Sequence, residues 1–284
     1  MRRRRKGSVV TEILTWVVVV IAILWVLFPF YWTVITSFKK PADVFRLSSI
    51  PWLQFTPTLS NWQTEFTQRG PEILRGITNS IIIAVFASLL AVALGTLAGY
   101  GLARYRYVKW RNQSMAFWFL SQRFLPPAAT VIPFFLLMKS LGLLDTRVAL
   151  ILVNTTFAMP FAVLIMKDMF RELPVELEEA ALVDGCSRWE AFLRIALPLA
   201  APALVATVII CFSFAWNEFL FALVLTYKKA TPMTIIIAGT EHTQGVQFWY
   251  VSTRLLLAIL PPTLLALTVQ RYIVRGLTMG AVKG

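Results

Sequence analysis

An all-α membrane protein with six transmembrane helices is the architecture that three features of this 284-residue chain predict. Apolar stretches long enough to cross a bilayer recur along it. Charged residues make up only 14% of the chain against 58% hydrophobic ones, where a soluble domain carries about a quarter charged. The Lys and Arg residues behind the net charge of +13 sit in short segments between the apolar stretches. That placement marks inner-side loops of a membrane protein rather than the exposed basic face of a nucleic-acid binder.

A helix needs about 20 mainly apolar residues to cross the hydrocarbon core, and the stretches 12–36, 77–103, 115–138, 147–166, 203–225 and 255–273 meet that need. The basic start, Arg2 to Lys6, followed by apolar residues from Ile13 to Ile35, imitates a signal peptide. The stretch is too long and lacks a small-residue cleavage site, so it reads as a retained first span. The third stretch contains Pro126, Pro127 and Pro133 and is expected to be kinked or broken. Such breaks require neighbouring protein to satisfy the backbone, which predicts that this span is largely buried in the bundle.

Six spans place both termini on one side, read as cytoplasmic. Sixteen of the 27 basic residues then fall in inner segments and ten in outer ones, the bias that short cytoplasmic loops show. The resulting division is a basic cytoplasmic N-terminus (1–11), the first span (12–36), an outer loop (37–76), a five-helix core (77–273) with a charged inner loop at 167–200, and a cytoplasmic tail (274–284). Outer segments near 38–76 and 226–254 read as ordered loops with turns and short interfacial helices. His242 lies in the second and reads as a solvated loop residue. Cys186 and Cys211 belong to no ligand cluster, so neither a disulfide framework nor a metal site is indicated.

The 167–200 loop carries more order than a connector needs. Pro174 suits the first turn of a helix, and Val175 to Val183 is rich in helix formers. Asp184-Gly185 provides a stop, and Ser187-Arg188-Trp189-Glu190 fits a capping box for a second short helix that ends before Pro198. Two short exposed helices joined by a tight turn imply a protein partner.

Within it, Glu179-Ala180-Ala181, three residues, Gly185, nine residues, then Ile195-x-Leu197-Pro198 resembles the EAA loop of permeases of binding-protein-dependent ABC importers. The likeness extends to carbohydrate-importer permeases of the MalG-like type through Asn79-Ser80, Tyr100-Gly101-Leu102-Ala103-Arg104-Tyr105, Pro126-Pro127, Leu141-Gly142-Leu143, Trp216-Asn217-Glu218-Phe219 and the ending from Gln270 to Gly284. The resemblance implies a type I ABC importer permease fold and a non-enzymatic transport subunit forming half of a pathway for a sugar or related solute. It implies partners: a second permease subunit, two ATPase subunits and an extracellular solute-binding protein that faces the second outer loop. It implies that Glu179, Ala180, Ala181, Gly185, Ile195, Leu197 and Pro198 dock on the ATPase, and that the C-terminal tail reaches the ATPase dimer; a basic tail meeting acidic lipid is the alternative. Glu179 either contacts the ATPase or stabilises its own helix. The chain has no GxxxxGK[ST] phosphate loop, so Mg-ATP belongs to the partner ATPase and this chain carries no cofactor of its own.

Ionisable residues within spans are functional candidates. Arg123, Asn217 and Glu218, with Gln122 and Asn154 similar in character, either line the translocation path or sit toward an aqueous end; Arg123 and Glu218 alternatively form a salt bridge. An ion-gradient transporter would be expected to show inverted repeats and acidic groups in its spans; no repeat is visible and Glu218 is the one acidic residue well inside a span. A non-transporting scaffold leaves the loop spacing unexplained.

Overall fold

The computed structural model describes residues 9–239, 241–242 and 245–279. Helix α1 (Val9–Ser37) comes first, then one turn, α2 (Pro41–Val44), and the 45-residue α3 (Ser60–Arg104). The third span follows as α4 (Asn112–Ser121), a 3₁₀ turn (Gln122–Phe124) and α5 (Pro127–Ser140), and α6 (Arg147–Glu172) is the fourth. The charged loop holds α7 (Glu176–Val183), α8 (Arg188–Ala191), a π-helical turn (Phe192–Ala196) and α9 (Leu197–Leu199). Beyond it lie α10 (Ala201–Trp216), α11 (Leu220–Leu225), α12 (Met233–Ala238), the two-residue strands β1 (Glu241–His242) and β2 (Gly245–Val246), and α13 (Phe248–Met279).

Four helices are long and apolar enough to span: α1, α3, α6 and α13. Two further pairs pass that test together but are bent, by 93° between Asn112–Phe124 and Pro127–Ser140 and by 74° between Arg188–Leu199 and Ala201–Trp216. Counting each bent pair as one span gives up to six spans among the described residues, by length and composition. Along α1, residues 11–31 expose apolar side chains on every side, the pattern of a helix whose solvent is not water.

The chain divides into two compact units, one running to Pro71 and including Ile237–Leu257, the other Glu72–Ile236 with the stretch from Ala258. In the first unit Asn61 Nδ2 donates to the carbonyls of Ser37 and Lys39, and Trp62 stacks on Phe38 at 6.1 Å. Lys39 is fully buried, its ammonium 4.4 Å from the Trp32 ring and 5.2 Å from that of Phe55. Burial pushes its pKa down, with Asp43 pulling the other way. Strands β1 and β2 pair antiparallel, Glu241 opposite Val246.

In the second unit α3, α5, α6, α10 and α11 enclose the core. Ile83, Leu150, Val153, Phe221 and Leu225 form one cluster, and Ala84, Ala87, Phe212 and Trp216 another. Two glycines set the α3–α6 spacing. A Cβ on Gly95 would lie 2.9 Å from Val163 N, and one on Gly99 2.8 Å from Lys167 N, so the backbones meet with no room for a side chain.

Several expectations need correction. Helix α3 starts at Ser60 rather than 77, passing through Gly70-Pro71; contacts of Asn61 and Trp62 with the end of α1 hold that extension. The break in the third span is where the prolines place it, but Pro133 sits inside a continuous α5. That span is not largely buried: α4 buries none of its residues and α5 only Met138. The bend satisfies itself, because Leu125 N–H donates to Gln122 O, Ala129 N–H to Pro126 O, and the prolines carry no N–H. Helix α6 continues to Glu172, into the charged loop. The fifth stretch is two helices, interrupted at 217–219. The sixth runs Phe248–Met279 through Pro261 and Pro262, and most of the expected tail, 274–279, is its last part. Residues 1–8 and 280–284, on which the basic terminus and tail end were read, lie outside the described residues.

Candidate functional site

After α6 ends, Pro174 lies just before the helix rather than in its first turn, and α7 begins at Glu176 with Val175 O accepting from the amides of Glu178 and Glu179. The turn closing α7 has both bonds of a Schellman motif: Cys186 N–H to Ala181 O at 2.9 Å and Gly185 N–H to Leu182 O at 3.2 Å. Gly185 supplies the left-handed conformation this requires, φ +90°. The capping box is formed, with Glu190 N–H donating to Ser187 Oγ and Ser187 N–H to the Glu190 carboxylate. The Ser187 N–H and, after it, the Ser187 hydroxyl, both donating to that carboxylate, together with nearby Arg194 hold the Glu190 carboxyl below its ordinary range. The second helix does not stop before Pro198. It widens into the π turn, where Leu197 N–H donates to Phe192 O, and continues to Leu199.

One face of this element is internal. Phe192 and Ala196 pack with Met166 and Phe170, and the Tyr100 ring lies 4.6 Å from Phe192 and 5.2 Å from Phe170. Glu178 is buried here: Tyr100 Oη donates to its Oε2 at 2.6 Å and Arg104 Nε to its Oε1 at 2.7 Å. The opposite face is exposed and carries Glu179, Ala180, Gly185 and Pro198, with apolar Val183 (87% exposed) and Trp189 (57%) beside them. Of the seven residues singled out in this loop, Ala181 is buried, and Ile195 and Leu197 are half-buried. Sequence reasoning missed Glu178; its i, i+3 spacing from apolar Ala181, which shares its buried face, is the signal that finds it.

The second group does not converge as an ion pair. Arg123 Nη1 donates to Phe157 O at 3.1 Å, and its guanidinium lies 3.7 Å from the Phe161 ring and 5.3 Å from that of Phe214, two rings themselves stacked at 4.9 Å. Glu218 accepts from the amides of Phe221 and Ala222 at 2.7 and 3.0 Å, capping the first turn of α11. Asn217 Nδ2 donates to Ser213 O and Asn154 Nδ2 to Leu150 O. Among the described residues no ion pair joins Arg123 to Glu218, which removes the salt-bridge alternative.

A third constellation was not foreseen. Asp145, φ +56°, accepts from four consecutive amides, Tyr227 to Ala230, at 2.9–3.2 Å. Burial raises its pKa, but the four amides together outweigh that and hold the carboxyl below its ordinary range. Asn79 adds to the grip, donating to the carbonyls of Lys229 and Thr231 while accepting from Arg147 Nε, and Ser80 Oγ accepts from Met233 N–H. Among the described residues no three His, Cys, Asp or Glu side chains gather to hold a metal.

Straight and bent apolar helices, with an ordered helical element between the fourth and fifth spans, define a multi-span membrane protein. The chain belongs to the family described as binding-protein-dependent transport system inner membrane component, whose pattern matches residues 91–279; it is a permease subunit of an ABC importer, a multi-pass membrane protein and not an enzyme. It is similar to the trehalose transport system permease protein SugB of Mycobacterium tuberculosis, 36% identical over 91% of this chain and 93% of that protein. It is also similar to the trehalose/maltose transport system permease protein MalG of Thermococcus litoralis, 34% identical over 91% and 92%. Among solved structures, a bacterial ABC transporter involved in import of the acidic polysaccharide alginate superposes with a TM-score of 0.77 at 21% identity, covering 96% of this chain and all of that one. The type I importer permease fold follows.

Proposed function

We propose that this chain forms half of the pathway of an importer for a sugar or related solute, paired with a second permease subunit and served by an extracellular binding protein. The element α7–α9 is the docking site for a separate subunit that binds and hydrolyses Mg-ATP. Both termini lie in the cytoplasm. The observation that carries this reading is the two-faced build of α7–α9: one face packed on the bundle, the other presenting Glu179, Ala180, Val183 and Trp189 around a locked turn. The relatives named for trehalose and maltose transport support the solute class.

Alternating access requires a stiff connection between motor and spans, and the Schellman turn and capping box supply stiffness locally. Arg123, Asn217 and Glu218 are proposed to border the path, where polar groups could meet solute hydroxyls; their bonds within the chain hold them in place. The decisive experiment reconstitutes the chain with its cognate subunits and a cysteine at Ala180. Protection of that cysteine from a thiol reagent by the ATPase subunit, together with ATP-dependent uptake, is the expected result. Unchanged labelling rejects the docking site.

A further inference from the structure

Resting on that docking reading, we propose that Glu178 is a positioning residue that yokes the coupling helix α7 to the inner end of α3, making α3 the span its ATPase partner drives directly. Both oxygens of its carboxylate are engaged from α3, by Tyr100 Oη and Arg104 Nε at 2.6 and 2.7 Å. The Arg104 and Glu178 side chains are only 8% and 9% exposed, so the pair is little screened by solvent.

The same guanidinium reaches a third element. Arg104 Nη2 donates to Leu173 O, just past the end of α6, at 3.2 Å. Tyr100 is wedged between Phe170 of α6 and Phe192 of the second coupling helix. Above this, Gly95 and Gly99 bring α3 against α6 with no side chain between them. A push on α7 therefore reaches α3 through two charge-assisted hydrogen bonds and a packed aromatic cluster, with no flexible segment in between.

Neighbouring carboxylates divide the work. Successive residues of a helix point about 100° apart, so Glu178 grips the bundle while Glu179 faces outward. Loss of Glu178 leaves the outward surface in place and slackens the link behind it. ATP hydrolysis then continues while less solute moves for each ATP consumed.

The test uses the complete transporter in liposomes, with uptake and ATP hydrolysis measured on the same vesicles in the presence of loaded binding protein. Glu178→Gln and Tyr100→Phe, a pair of shape-preserving changes, are expected to assemble with the ATPase subunit normally. Solute moved per ATP is expected to fall by about tenfold in Glu178→Gln, within the usual span of coupling between sites, and less in Tyr100→Phe. Exchanging the charges, Glu178→Arg with Arg104→Glu, is expected to recover part of the ratio lost in Glu178→Arg alone. An unchanged ratio in both shape-preserving variants overturns the proposal, as does loss of ATPase association in Tyr100→Phe, which would make the contact a docking determinant. Failure of the docking reading itself shows separately, as an Ala180 cysteine left unprotected in the otherwise wild-type complex.

Discussion

Arg254 and Glu65 meet in a two-pronged ion pair, Nε to Oε2 at 2.7 Å and Nη2 to Oε1 at 3.0 Å, with side chains 1% and 2% exposed. It joins the first turns of α13 to the first turns of α3 across 189 residues of sequence. Removing one partner of such a buried pair costs about 3–5 kcal/mol, because the other charge is left without compensation. Arg254→Met is therefore expected to lower the thermal midpoint of the purified chain strongly. The double variant Arg254→Met with Glu65→Leu should recover most of the loss, which a melting curve in detergent reads directly.

Asp145 makes a prediction about pH. Its folded pKa lies below the ordinary value, so its anchoring of Tyr227–Ala230 is complete above the ordinary Asp range and is lost only as pH falls through the lowered value. Hydrogen exchange at those four amides is expected to stay slow from neutral pH down past the ordinary carboxylate range. Asp145→Asn removes the charge and one acceptor oxygen, and should speed their exchange even at neutral pH.

Gly185 at φ +90° has open space around the position of a Cβ. The cost of Gly185→Ala is thus backbone strain alone, about 1–2 kcal/mol. Exchange in α7 should quicken, and the variant should bind the ATPase subunit more weakly. Gly185→Asn, a residue more tolerant of this conformation, should lie between the two.

Arg123 stacks its planar guanidinium on Phe161. Lysine keeps the charge but loses the plane and the fork of donors. Arg123→Lys is expected to weaken the tie between the third span and α6 by about 1–2 kcal/mol, the usual reach of a partly desolvated cation–π contact. Uptake measured beside the melting point separates two roles: a fall in uptake larger than the fall in stability marks a residue of the path.

What could be read from the residues was what they encode locally. Ser187 and Glu190 stand three apart, and Gly185 follows a helical run, so the capping box and the turn were visible in advance. The break at Pro126-Pro127 was visible for the same reason. By contrast, Gly70-Pro71 looks like an end of helix, and only distant partners, Ser37 and Lys39 for Asn61 and Arg254 for Glu65, overrule it. Asp145 was hidden because its partners are main-chain amides some 80 residues onward, and an amide has no letter in a sequence. Glu178 was overlooked because which of two neighbouring carboxylates faces inward is a matter of helix phase, which the arrival of Tyr100 and Arg104 decides.

The π turn at Phe192–Ala196 carries a final consequence. A hydrogen bond reaching back five residues holds one residue more than a regular turn does, so the interval from Gly185 to Pro198 contains a surplus residue taken up as a bulge. Deleting one position there would let the helix close into ordinary α geometry with Trp189 and the turn before it close to their present direction, because the bulge already absorbs that residue. A further deletion, with no bulge left to take it up, would swing them about 100° around the axis. Chain length between those two landmarks therefore sets the direction in which the protrusion points, and is as much a specification as the residues at either end.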